Sequence, residues 1–174
     1  MADKLDMNYC RRCGSPFTSS EDYVFHCPNG HVIYANPAPA AGMLLEDSQG
    51  RAVVITRAAD PGKGMYDLPG GFCDGTDTLE QAAIREIEEE VSLKPEHYTE
   101  PTLLCSSIDL YDFKGECVTV LVAIFYAKLL NDAPLKAGDD AAAIQMLPLN
   151  QELVDKLFFP SKRNAAQKLL DSRN

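Results

Sequence analysis

The sequence contains no tryptophan, no long apolar run and no excess of positive charge. The longest uncharged, largely apolar stretch is Cys117 to Ala127, 11 residues. A membrane-spanning helix needs about 20, so no span is expected. Met1 to Tyr9 is polar and has no apolar core of a secretory signal, so a cytoplasmic protein is expected. Lys plus Arg number 16 against 26 Asp plus Glu, a net charge of −10. That balance disfavours nucleic acid and anionic membranes as partners, since both need a basic surface.

The 174 residues suffice for one domain with its own core plus a small appendage, so disulfides are not needed for folding. In a reducing compartment the six cysteines read as metal ligands or buried thiols. Cys73, Cys105 and Cys117 fall in or beside expected strands and read as buried, inert thiols.

The first 36 residues hold three of the cysteines, two of the three histidines and few large apolar residues. Asn36-Pro37-Ala38-Pro39 then punctuates the chain. This divides it into a small module over 1–36 and a main domain over 37–174. In the module, Cys10-Arg11-Arg12-Cys13-Gly14 is a C-x2-C knuckle, and Cys27-Pro28-Asn29-Gly30-His31 follows it. Cys10, Cys13, Cys27 and His31 make a closed Cys3His set suited to structural Zn2+. His26 is a rival fourth ligand, less well placed because it adjoins Cys27.

In the main domain, strands are expected over Ala40–Leu45, Ala52–Thr56, Leu103–Leu110, Val118–Ala127 and Ile144–Leu147. A helix is expected over Thr76–Ser92, with Thr78 as N-cap and Leu79, Ala83, Ile84, Ile87 and Val91 as its buried stripe. Glu152–Leu157 and Lys162–Leu170 read as C-terminal helices. The fold class is a mixed α/β, or α+β, domain.

Charge gathers on the first of these helices: residues 78–100 carry seven Glu against Arg85 and Lys94. Glu86, Glu89 and Glu90 lie at i, i+3 and i+4 and share a face. Crowded carboxylates repel one another, and a hard divalent cation such as Mg2+ or Mn2+ relieves that repulsion. The bland alternative is a solvated acidic face. Arg85 beside the cluster, and Leu68-Pro69-Gly70-Gly71-Phe72 at a fixed interval before it, favour the metal site.

Gly71, Asp77, Arg85, Glu86, Ile87, Glu89, Glu90 and Leu93 fall on the pattern G-x5-E-x7-R-E-U-x-E-E-x-G-U, with U a bulky aliphatic residue. In this the sequence resembles the Nudix hydrolases, and the likeness extends over most of residues 38–172. Asp77 stands where the pattern has Glu, one methylene shorter, and Ser92 where it has Gly. The resemblance implies an α/β/α sandwich around a mixed sheet. It also implies Mg2+- or Mn2+-dependent hydrolysis of a nucleoside diphosphate linked to a group X, giving a nucleoside monophosphate and P–X. By the same resemblance, Glu89 and Glu90 bind the metal and Glu86 binds metal or takes the proton of the attacking water. Arg85 holds the Glu side chains in register, and the Gly70 carbonyl is a further metal ligand. Asp139 and Asp140 are weak candidates for a base outside the pattern.

The N-terminal module is similar to the zinc ribbon of some Nudix hydrolases, including NADH pyrophosphatases, where a structural role and a homodimer are implied. The S-Q-P-W-P-F-P signature of the NADH enzymes is absent; Ser106 to Tyr111 stands in that region. The substrate is left open among ADP-ribose, NAD(H), dinucleoside polyphosphates and nucleotide sugars. Tyr66, Phe72, Tyr111 and Phe113 are candidate base-stacking residues. A non-catalytic, ligand-binding Nudix module is the alternative, though Arg85 and all three glutamates are in place.

Overall fold

The computed structural model describes residues 7–113, 115–130, 135–136 and 141–173. The chain divides into two compact units, Met1–Ala38 and Pro39–Asn174. In the first, β1 (Ser19–Glu21), β2 (Val24–His26) and β3 (Val32–Tyr34) form an antiparallel sheet. Its core is small: Cys10, Phe25, Cys27, Ile33 and Ala35. Gly14 and Gly30 take positive φ of 72° and 81°, turning the chain directly after each cysteine knuckle.

The second unit contains β4 (Ala38–Glu46), β5 (Arg51–Arg57), β6 (Tyr66–Asp67) and β7 (Gly70–Phe72). There follow α1 (Leu79–Val91), β8 (Thr102–Phe113), β9 (Glu116–Lys128) and β10 (Ala141–Pro148). Two helices, α2 (Gln151–Lys156) and α3 (Pro160–Asp171), end it. The strands form a seven-stranded sheet in the order β10-β5-β4-β9-β8, with β6 on β5 and β7 on β4. Most pairs are antiparallel. The Leu129 amide, just past the end of β9, donates to the Glu46 carbonyl at the end of β4. Those two strands therefore run in the same direction, and the sheet is mixed.

Alternation along β4 divides the core. Ala41, Met43 and Leu45 face α1 with Ala82, Ala83, Ile87 and Val91. Ala40 and Leu44 face α2 and α3 with Leu153, Leu157, Ala165 and Leu169. Strand β9 is buried on both sides: Val120, Val122 and Ile124 point one way, Ala123 and Phe125 the other. This is the expected α/β/α sandwich. Five strands were not legible: β1, β2 and β3 of the first unit, and β6 and the Gly-Gly-Phe strand β7 of the second. Among the described residues, no helix is long and apolar enough to cross a membrane.

Helix α1 begins with a reciprocal cap. The Gln81 amide donates to Thr78 Oγ1 at 3.2 Å, and the Thr78 amide donates to Gln81 Oε1 at 2.9 Å. It ends at Ser92, which adopts φ 58° and ψ 30° while its amide bonds to Glu88 and Ile87 carbonyls. A side chain in this left-handed region costs about 1 kcal/mol relative to glycine. Ser92→Gly is expected to stabilise the protein by about 1 kcal/mol, raising the melting temperature by about 3 °C with activity unchanged. Calorimetry checks this; a lower melting temperature would contradict it.

Candidate active site

One cleft of about 380 Å³ opens beside α1. Glu86 and Glu90 line it together with Gly70, Gly71, Asp67 and Lys162. The three expected glutamates do not take equivalent places. Glu90 is 7% exposed, and its Oε2 accepts a hydrogen bond from the Gly70 amide at 2.7 Å. Glu86 lies against Gly71, where any Cβ would sit 2.7 Å from both carboxylate oxygens. The Glu89 side chain is 58% exposed at the rim, turned to Arg85.

Arg85 ties these parts together. Its Nη1 donates to Glu86 Oε1 at 2.8 Å and Glu89 Oε2 at 2.9 Å, and its Nη2 donates to the Phe72 carbonyl at 2.9 Å. Its Nε reaches Asp77 Oδ2 at 3.1 Å, so the shorter acid still meets its partner. Burial opposes the charge on Arg85, but Glu86 and Asp77 more than offset it and hold the guanidinium protonated. Gly70 enters through its amide, which holds Glu90.

Burial acts on the carboxylates in the opposite sense. It raises Glu90 from 4.5 to about 7, against the Gly70 amide and the Lys162 charge. It also raises Glu86, against Arg85, and Asp67, against Lys162 and Arg57. A group of buried carboxylates with raised affinity for protons is a site that a hard cation fits.

The opposite wall is aromatic. Phe72 meets Tyr111 edge-on at 5.3 Å, and Tyr111 stacks on Phe159 at 6.0 Å. Arg57 lies 4.9 Å over the Phe159 ring and is fixed by Asp67 at 2.9 Å and the Pro61 carbonyl at 2.6 Å. Of the aromatic residues expected to stack on a base, Phe72 and Tyr111 line the cleft, and Tyr66 packs against the core instead. Asp139, Asp140 and the side chain of Phe113 lie outside the described residues. The thiols differ from expectation: Cys117 is exposed, and Cys73 and Cys105 are only partly buried. Burial pushes both of those thiols up, so they are poor nucleophiles.

The sequence profile of the NUDIX domain matches residues 36–169. The chain belongs to the Nudix family. It is similar to an ADP-ribose pyrophosphatase of Methanocaldococcus jannaschii, 32% identical over 131 residues, which cover 75% of this chain and 72% of that one. It is also similar to an NAD-capped RNA hydrolase of Chromobacterium violaceum, 35% identical over 88 residues, 49% of this chain and 32% of that one. A human mitochondrial NAD(P)H pyrophosphatase is 34% identical over 90 residues, 51% of this chain and 25% of that one. The chain thus matches a third or less of the length of the last two. Among solved structures, a NUDIX hydrolase from Nitrosomonas europaea aligns with a TM-score of 0.70 at 22% identity, covering 96% of this chain and 92% of that one.

Sequence reasoning missed Arg57, Asp67, Asp109, Phe159 and Lys162. A signal existed for Lys162, which opens the stripe Lys162, Ala165, Ala166, Leu169 at i, i+3, i+4 and i+7. A charged residue on an apolar stripe marks a buried charge with a task.

The Glu90 shift has a measurable consequence. Between about pH 4.5 and pH 7 the folded protein keeps a proton on Glu90 that the unfolded chain releases. This group's contribution to stability therefore falls as pH rises through that window. In Mg2+-free buffer the wild type should lose more melting temperature than Glu90→Gln between about pH 5 and pH 7.5. Parallel losses would mean the carboxylate is not held as described.

Proposed function

We propose that this Nudix pyrophosphohydrolase cleaves the diphosphate linkage of an adenine dinucleotide of the ADP-ribose or NAD(H) kind, giving AMP and a phosphorylated remainder. The observation that carries this reading is the meeting of half-buried Glu86 and buried Glu90 with an aromatic and guanidinium wall in one cleft. A flat base would stack against the wall of Phe72, Tyr111 and the Arg57–Phe159 pair, leaving the diphosphate at the carboxylates. The ADP-ribose pyrophosphatase relative, alike over three quarters of this chain, supports the adenosine end of the assignment.

Glu86, Glu89 and Glu90 would hold Mg2+ or Mn2+, hard cations suited to carboxylate oxygens. Such an ion, when bound, neutralises diphosphate charge and makes the attacking water more acidic. The protein does the rest. Glu86, raised by burial and facing the cleft, takes the proton of the water. The Gly70 amide keeps Glu90 turned inward, and Arg85 bridges Glu86 and Glu89 and holds them in register.

In the first unit, Cys10, Cys13, Cys27 and His31 are assigned to structural Zn2+. Their ligand atoms all lie within 4.8 Å of one another. Tetrahedral Zn–S bonds place neighbouring ligand atoms about 3.8 Å apart, and Cys13 and Cys27 Sγ are 3.4 Å apart. The Asn29 side-chain Nδ2 donates to Cys13 Sγ and draws that thiol down to about 5, toward the ligating thiolate. His26 is not among the clustered ligands.

Chromatography of products from ADP-ribose, NADH, diadenosine polyphosphates and nucleotide sugars tests the activity. Mg2+-dependent AMP release is expected, falling by about a thousandfold in Glu86→Gln and Glu90→Gln. A folded wild type that releases nothing from any of them would overturn the reading in favour of a ligand-binding module. Denaturing the protein in the presence of a chromogenic chelator should release one Zn2+ per chain, and none from the combined Cys10→Ser and Cys27→Ser variant. A metal-free, fully folded first unit would contradict the zinc assignment.

A further inference from the structure

The cleft holds a charge that neither the carboxylate site nor the aromatic wall accounts for. Lys162 is the third residue of α3 and is 5% exposed. Its ammonium sits at the Gly42–Gly70 pair, where β4 and β7 are in register. A Cβ on Gly42 would collide with Lys162 Nζ, and one on Gly70 would lie 3.0 Å from it. Gly42 belongs to the face of β4 that looks toward α3, so the missing side chain is the space the ammonium fills. From the α1 face, Glu90 grips the Gly70 amide at 2.7 Å. A cation from one layer and a carboxylate from the other thus reach the same pair of glycines.

Two forces oppose a positive charge at this point. Burial penalises any charge, and the N-terminal turn of a helix repels a cation. The turn itself is fixed: Asp109 on β8 accepts hydrogen bonds from the Ser161 amide, at 2.9 Å, and from the Ser161 hydroxyl. Lys162 is therefore held where its own helix disfavours it. Such a breach of local preference marks a functional position more often than a structural one.

Three cations line the cleft: Arg57, Arg85 and Lys162. Arg57 is paired with Asp67, and Arg85 with Asp77, Glu86 and Glu89. Among the described residues, the Lys162 ammonium makes no hydrogen bond and no ion pair. Asp67, Glu86 and Glu90 act on it only at longer range. A buried ammonium that faces a cavity without a direct partner is complementary to an anion entering that cavity.

We propose that Lys162 binds the diphosphate of the substrate directly, through non-bridging oxygens, and so selects for a doubly charged linkage at the floor of the cleft. This rests on the pyrophosphohydrolase reading above. The geometry gives Lys162 a role separate from that of the glutamates: it meets the substrate, and they hold the divalent cation.

The test compares wild type with K162M, K162Q and K162R. Two quantities are read: kcat and KM for AMP release from ADP-ribose at saturating Mg2+, and calorimetric binding of the methylene-diphosphonate analogue of ADP-ribose with Mn2+ present. K162M and K162Q are expected to raise KM and weaken analogue binding by about ten- to a hundredfold, with K162R recovering most of the loss. Mn2+ affinity without nucleotide, followed by electron paramagnetic resonance, should not weaken in any of them. Unchanged analogue binding in K162M, or K162R no better than K162Q, would overturn the proposal. So would variants whose one change is tighter Mn2+ binding, since Lys162 would then be a counter-charge to the carboxylates. If K162M does not fold, K162R against K162Q carries the same comparison. A wild type that binds and turns over while K162M matches it defeats this inference alone; a wild type that neither binds nor turns over defeats the functional reading as well.

Discussion

Gly42 and Gly70 oppose each other across β4 and β7 so closely that a Cβ at position 70 would overlap the Gly42 backbone. Gly70 holds φ 146°, a conformation that side chains rarely adopt. Much of the site depends on this contact. It anchors β7 on the sheet and so presents the Gly70 amide to Glu90. It sets Gly71 beside Glu86 and directs the Phe72 carbonyl to Arg85. It also leaves the space on the α3 side for the Lys162 ammonium. Three layers of the sandwich deliver charged groups to one point because two adjacent strands there have no side chains.

The charge pattern follows from the same geometry. A surplus of acid concentrated on α1 would destabilise an isolated helix, and here Arg85 neutralises part of it through several short bonds. The remainder, Glu90 and much of Glu86, is moved out of water, where it retains protons unless a cation is supplied. Stability and metal affinity are thereby coupled, since a cation that removes the burial penalty stabilises the folded state. The −10 net charge belongs to the whole surface and does not describe the cleft, where Arg57, Arg85 and Lys162 face the ligand space.

Much of this was legible in the sequence, and for identifiable reasons. Helix α1 carried its cap, its stripe and its acidic face in consecutive residues, so its chemistry and its end could be read locally, although it starts after the Thr78 cap, at Leu79, and not at Thr76. The short apolar runs of β4 and β5 and the longer one of β9 gave the sheet. The three clustered cysteines were legible from spacing, with His31 favoured over His26 as their fourth partner, and the fold brings His31 to them. What escaped were features made by distant residues. Strand β7 is too short and too rich in glycine to look like a strand, and it exists because β4 binds it. The Arg57–Asp67 pair needs the β5–β6 hairpin to close. Asp109 and Ser161 meet across 52 positions of sequence. The order of burial among Glu86, Glu89 and Glu90 also escaped, because one helical face can lie partly in a cleft and partly at its rim. Ser92 was recognisable as the residue in the place of a terminating glycine, and it does hold the left-handed conformation.

The central claim is that the side-chain-free contact of Gly42 with Gly70 positions the reacting groups. Steady-state AMP release by Gly42→Ala, measured beside its melting temperature and circular dichroism, tests it most directly. The account predicts a folded variant with kcat/KM lowered by about a hundredfold, because a methyl group there displaces both Lys162 and the β7 amide that holds Glu90. A Gly42→Ala protein with wild-type kcat/KM would contradict it.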